Sequence, residues 1–306
     1  PRVSSEMLSR AFSAGALSRG ANVTDVGVLP TPGVAFLARH VQADAGVVIS
    51  ASHNPFHDNG VKLFDGNGEK LSDAEELAIE AWLERDATAW NPVQGADVGR
   101  LGTLNGSRDG YVAFLLDHAP YLDGMRIGLD CANGAASVVA PQVFEKLGGR
   151  LQTRHAKPDG VNINVACGST VPETIRDFVV EEGLDVGVAF DGDGDRALLV
   201  DTKGRIVSGD HMIAIIARVR RDKAVVGTTM TNLGVERWLA GHGVTLHRAD
   251  VGDRYVHALL KTRDLRLGGE ASGHLLFLDL APTGDGILTA LQTLAAVRAS
   301  GKPLET

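Results

Sequence analysis

An α/β fold is predicted: three consecutive α/β units with mixed, mainly parallel sheets flanked by helices. Three observations carry it. Short apolar runs of Val, Ile and Leu alternate with longer amphipathic stretches along all 306 residues. The runs close at turn residues, as strands buried on both faces do. The composition, 44% hydrophobic and 22% charged, is that of globular domains, at a length that allows two domains or three small ones.

The elements follow in order. A helix is expected over residues 5–19, a strand over 25–29, a helix over 34–40 and a strand over 45–50. Ser72, with Glu75 three residues on, forms a capping box that starts a helix over 73–85. Residues 91–105 are rich in Gly, Asn and Pro and place a first boundary near Leu101. Beyond it come a helix over 107–117, a strand over 126–130, and a helix over 137–147 that stops at Gly148-Gly149. Pro172 and Glu173 open a helix over 172–182. Strands over 184–190 and 197–201 follow. The turn Asp201-Thr202-Lys203-Gly204 marks the second boundary. The third unit reads as helices over 210–221, 234–242, 253–262 and 285–298 with strands over 224–228 and 275–279. The expected domains are 1–101, 102–203 and 204–306.

Charge and cysteine content exclude several classes. Thirty basic residues against 38 acidic ones give a net charge of -8, and no basic stripe suited to nucleic acid runs through the chain. Arg218, Arg220, Arg221 and Lys223 read as the basic end of a helix. An acidic protein that takes an anionic substrate must concentrate positive charge locally. Cys131 and Cys167 are too few for a disulfide framework and read as buried thiols. No apolar run approaches the roughly 18 residues of a membrane span, and residues 1–10 lack the layout of a signal peptide. A cytoplasmic protein with no membrane partner is expected. Its start at Pro1 and its plain end at Thr306 read as a fragment.

Three loops carry polar chemistry. In the first, an apolar run leads into Ser50-Ala51-Ser52-His53-Asn54-Pro55, at the strand end where α/β sheets place ligands. Ser52 offers a hydroxyl and His53 a base or phosphate contact, and Lys62 follows the Asn59-Gly60 turn. The same residues also read as a plain polar turn. The second is Asp191-Gly192-Asp193-Gly194-Asp195-Arg196. Three carboxylates this close repel one another unless a cation offsets them, and glycine between them lets the oxygens converge. Hard divalent ions, Mg²⁺ above all, take such ligands. An EF-hand is excluded, because its sixth position is Arg196 and its twelfth Thr202. The alternative is a solvated acidic hairpin. The third is Gly269-Glu270-Ala271-Ser272-Gly273-His274, where Glu270 and Ser272 are spaced to bond adjacent sugar hydroxyls; it also reads as the polar start of a strand. No nucleophile elbow, dinucleotide fingerprint, Walker A sequence or zinc motif occurs.

Together, and in this order, the three loops resemble the α-D-phosphohexomutase superfamily. Residues 54–62, Cys131-Ala132-Asn133-Gly134-Ala135, residues 251–256 and Thr283-Gly284-Asp285-Gly286 are similar to its phosphoglucosamine branch. The resemblance covers nearly the whole chain. It implies that Ser52 bears a transferable phosphate and that Asp191, Asp193 and Asp195 hold Mg²⁺ with a phosphoserine oxygen. It implies that Arg196 lies on the phosphate side and that Lys62 and His53 serve proton transfer and phosphate contact; Lys62 could accept or donate the sugar hydroxyl proton if a nearby cation and partial burial lowered its pKa. Glu270, Ser272 and His274 fall on the sugar-reading loop, and Asp253 and Arg254 on a second substrate loop. The implied partners are glucosamine phosphate and a glucose or glucosamine 1,6-bisphosphate as intermediate or activator, with a homodimer as the assembly considered. The family's fourth domain and the leading segment of its first, which carries a further arginine, have no match here. The alternatives are a phosphomannomutase or phosphoglucomutase of the same superfamily, and an inactive fragment that only binds metal and sugar phosphate.

Overall fold

The computed structural model describes residues 1–85 and 91–304; the last residue of the expected third domain, Thr306, lies outside them. The first unit contains α1 (Ser5–Leu17), β1 (Val23–Asp25), α2 (Thr31–His40), β2 (Ala45–Ile49), β3 (Val61–Asp65), α3 (Asp73–Leu83), β4 (Leu101–Thr103) and α4 (Ser107–Asp117). β2 and β3 form an antiparallel pair that sets Lys62 opposite Val48. β1 pairs in parallel with β4, so this unit's pairing extends past the boundary expected at Leu101.

The second unit holds β5 (Arg126–Asp130), α5 (Ala140–Lys146), β6 (Arg150–Arg154), α6 (Pro172–Glu182), β7 (Val186–Phe190), β8 (Ala197–Val200) and β9 (Ile206–Val207). Its sheet order is β6-β5-β7-β8-β9. β5 is parallel to β6 and β7, while β8 and β9 run antiparallel. The third unit holds α7 (Gly209–Arg220), β10 (Ala224–Thr228), α8 (Leu233–Gly241), β11 (Thr245–Ala249), α9 (Asp253–Arg263), β12 (Leu267–Gly269), β13 (Leu275–Phe277) and α10 (Gly286–Ser300). Its order is β11-β10-β12-β13, with only the last pair antiparallel. In both units the polar loop is the turn between the two strands of an antiparallel pair.

Where the elements differ from expectation, local chemistry explains it. The strand expected over 25–29 is β1, which ends at Asp25, because the Asp25 carboxylate accepts from Gly27 N at 2.8 Å and turns the chain away. β6 and β11 are edge strands and read as polar segments, Arg-Leu-Gln-Thr-Arg and Thr-Leu-His-Arg-Ala. β12, Leu-Gly-Gly, reads as loop but pairs with both β10 and β13. The capping box at Ser72 and Glu75 is present.

One hydrophobic cluster runs through all three units, from Leu37 and Tyr111 through Leu129 and Phe190 to Ile213 and Leu291. α10 of the third unit packs on both α7 and β8. The shared core fixes the polar loops relative to one another. Among the described residues no helix is long and apolar enough to cross a membrane.

Candidate active site

The aspartate loop is the β7–β8 turn, and it is buried. Asp191, Asp193 and Asp195 are 0%, 2% and 5% exposed, and each offers an oxygen within 4.8 Å of the others. Asp193 Oδ1 and Asp195 Oδ1 have no hydrogen-bond partner. Burying polar groups in that way is costly unless something else binds them. The Lys62 ammonium takes up part of the charge, 2.5 Å from Asp193 Oδ2 and 3.7 Å from Asp195 Oδ2. A cation is thus already drawn to the triad, and two of its oxygens are left without a hydrogen-bond partner. The residues fit a divalent metal ion.

Ser52 closes the triad from the first unit. Its Oγ donates to Asp191 Oδ2 at 2.7 Å, and His53 Nδ1 lies 3.4 Å from the same Oγ. Ser52 has φ of 48°, in the left-handed region that a non-glycine residue enters at a cost. The loops meet backbone to backbone. A Cβ on Gly192 would stand 2.6 Å from the Ser52 carbonyl oxygen, so only glycine lets the serine loop seat there.

The third loop reaches the same centre. A Cβ on Gly273 would collide with the Ala197 carbonyl, and Ala197 N donates to Gly273 O. His274 is buried, with Nδ1 3.6 Å from Asp195 Oδ2 and Nε2 3.5 Å from Asp253 Oδ2. Glu270 Oε1 accepts from Gly252 N at 3.0 Å, and Ser272 is exposed at the loop tip. Arg196 Nε lies 3.9 Å from Asp195 Oδ1. Ser52, His53, Lys62, Arg196, His274 and the three aspartates therefore surround one point, with Glu270 and Asp253 beside it. Arg254 does not join them. It is more than half exposed and pairs with Asp73 of the first unit.

Electrostatics follows from this crowding. Burial and the neighbouring carboxylates of Asp195 and Asp193 push Asp191 well above the usual aspartate range. Asp195 is held well below it: burial opposes ionisation, but His274, Lys62 and Arg196 outweigh burial. The lowered pKa on which proton transfer by Lys62 would depend is not found. Burial acts in that direction, but Asp193 and Asp195 overcome it and raise the group above the ordinary lysine value. Burial and Arg196 push His53 down, which favours its neutral imidazole.

Several participants were not singled out from the sequence. Thr31 Oγ1 donates to Asp193 Oδ2 at 2.8 Å, and Thr31 N donates to Asp193 O at 2.8 Å. Its signal was the flanking pair Pro30 and Pro32, which presets the backbone. Arg2 and Asn164 both bond the serine loop. A second cluster, Asp130, His155 and Cys167, also converges. Asp130, however, already accepts from Ala132 N and Gly168 N, and burial and Asp130 push the Cys167 thiol up to about 12. That cluster ties the 155–168 loop to the end of β5.

Sequence and structure comparisons place the chain in a family. Models described as phosphoglucomutase/phosphomannomutase alpha/beta/alpha domains I, II and III match residues 1–89, 109–204 and 208–306. The phosphoglucosamine mutase of Deinococcus radiodurans is 54% identical over 99% of this chain and 68% of its own length. This chain belongs to the phosphoglucomutase/phosphomannomutase family. A second relative, a phosphoglucosamine mutase of Thermus thermophilus, is 50% identical over 99% of the chain and 68% of its own. Among solved structures, a family member from Burkholderia thailandensis superposes with a TM-score of 0.84 at 25% identity, over 99% of this chain and 69% of that one. The three matches fall on the three units described above, except that most of α4 lies within the second match.

Proposed function

We propose that this chain is a phosphosugar mutase that interconverts glucosamine 6-phosphate and glucosamine 1-phosphate, with Ser52 carrying the transferable phosphate. The observation that carries the reading is the placement of Ser52 Oγ against Asp191 at the edge of a buried carboxylate triad. The names of the relatives at 50% identity and above support the choice of sugar.

The triad offers only oxygen donors, and its preferred ion on chemical grounds is Mg²⁺. Held by Asp191, Asp193 and Asp195, that ion supplies positive charge to the phosphate oxygens, where phosphoryl transfer needs it. The protein's own residues do the rest. The phosphate leaves Ser52 Oγ as the oxygen of a free sugar hydroxyl bonds to phosphorus; the hydroxyl gives up its proton and Ser52 Oγ takes one. The sugar 1,6-bisphosphate then turns round, and its other phosphate returns to Ser52. His53 is the nearby proton acceptor, 3.4 Å from Oγ. Lys62 is the charged donor, and Arg196 holds positive charge beside the phosphate. Glu270, Ser272 and His274 read the sugar hydroxyls in either orientation, with Asp253 and Arg254 on the adjoining loop.

In this division of labour residues 1–101 supply the phosphoserine, 102–203 the metal loop and 204–306 the sugar loops. The proposed setting is the cytoplasm, where phosphorylated sugars are made and consumed. The test is turnover of the 6-phosphates of glucosamine, mannose and glucose with a priming hexose bisphosphate. Glucosamine 6-phosphate is expected to react fastest. Faster turnover of either other sugar overturns the assignment.

A further inference from the structure

Two side chains from different units grip the serine loop by the same carbonyls. Arg2 Nη2 donates to Ser52 O at 2.8 Å, and its Nη1 donates to Asn54 O at 3.0 Å and Pro55 O at 2.5 Å. Asn164 Nδ2 donates to Ser52 O at 3.0 Å and to Asn54 O at 3.1 Å. Arg2 belongs to the first unit and is 4% exposed. Asn164 belongs to the second, on the loop between β6 and α6.

Asn164 is built for this contact. Its φ is 60°, left-handed like that of Ser52, a region that asparagine tolerates better than most residues. Its backbone N donates to Ala132 O at 2.9 Å, and the preceding Ile163 is buried. Its Oδ1 is buried without a partner. The amide orientation is still dictated, because the opposite one would set that oxygen against two carbonyls.

We infer that Asn164 is a positioning residue for Ser52, its amide working with the Arg2 guanidinium to hold the serine peptide left-handed so that Oγ aims at Asp191. A serine relaxed to ordinary backbone angles would swing its hydroxyl off the triad. Transfer between fixed groups is sensitive to such displacement; a 1 Å error costs about a hundredfold in rate. The inference rests on Ser52 as the phosphate carrier.

Asn164→Gly tests it, because glycine keeps the left-handed backbone and loses only the amide. The full chain is treated with a hexose 1,6-bisphosphate, and Ser52 phosphorylation is followed by intact mass alongside kcat, KM, melting temperature and Mg²⁺ affinity. The expected result is a fall of about 10- to 100-fold in phosphorylation rate and kcat, with KM, melting temperature and Mg²⁺ affinity near wild type. Arg2→Gln, which weakens the opposite grip, is expected to show the same split. Wild-type rates in Asn164→Gly, or a loss that only parallels melting temperature or Mg²⁺ affinity, overturns the inference and leaves the mutase reading standing. Failure of the wild type to take up phosphate, or uptake by Ser52→Ala, overturns both.

Discussion

Ser52 Oγ lies 2.7 Å from Asp191 Oδ2, although 139 residues separate them in the chain. The contact joins the first unit to the second at the point where three carboxylates converge. It makes Ser52→Ala the most direct test of the chemistry. That variant is expected to fold normally but to gain no phosphate in an intact-mass spectrum and to show no turnover. A gained phosphate on it would put the carrier elsewhere.

Metal binding is expected to depend on Asp193, whose carboxylate also holds Lys62 and Thr31. Asp193→Asn should raise the dissociation constant for Mg²⁺ at least about tenfold, since even indirect partners of a metal site have effects of that size. The melting-temperature gain from added Mg²⁺ should shrink with it. Calorimetric titration reads the first, and an unchanged isotherm refutes the triad as the metal site.

Two glycines give opposite outcomes when changed to alanine. At Gly192 a methyl would meet the Ser52 carbonyl and the Asn164 amide, so Gly192→Ala should cost about 1–3 kcal/mol and most of the activity. At Gly15, inside α1, nothing lies within 4 Å, and Gly15→Ala should add about 0.5–1 kcal/mol by helix propensity. Denaturant midpoints and kcat of both variants check the pair.

Asp285 gives a pH signature. Burial raises its carboxyl to about 6, against the lowering effect of hydrogen bonds from Leu288 N and the Tyr111 hydroxyl. A raised folded-state value means that the contribution to stability is full below about pH 4 and lost as pH rises to about 6. The loss is at most about 3 kcal/mol. Asp285→Asn keeps the N-cap of α10 but cannot ionise. Its stability relative to wild type should therefore rise between pH 4 and 7. A difference that stays flat across that range would refute the assignment.

The first and third units also meet through charge. Lys261 pairs with Glu69 at 2.6 Å, and Lys70 pairs with Asp253. The Lys261 side chain is 54% exposed, so Lys261→Ala should change stability by less than about 1 kcal/mol. Lys70→Ala should cost more, because Asp253 is largely buried beside His274 and loses a partner. Equal effects in the two variants would remove that distinction.

Residue order alone carried much of this. The apolar runs announced the α/β units, the capping box announced α3, and the glycine-spaced aspartates announced a cation site, because these signals depend only on neighbours in the chain. The edge strands β6 and β11 were hidden because an edge strand exposed to water needs no apolar face. Tertiary structure decided what neighbours cannot. It set Ser52 against Asp191, linked Asp195 to Asp253 through His274, and made Lys62 a firmly charged partner of the triad. It also brought Arg2, Thr31 and Asn164 to the centre. Those contacts exist because a core shared by three units fixes loops that are far apart in sequence, and the field on each group is the sum of charges that only folding brings together.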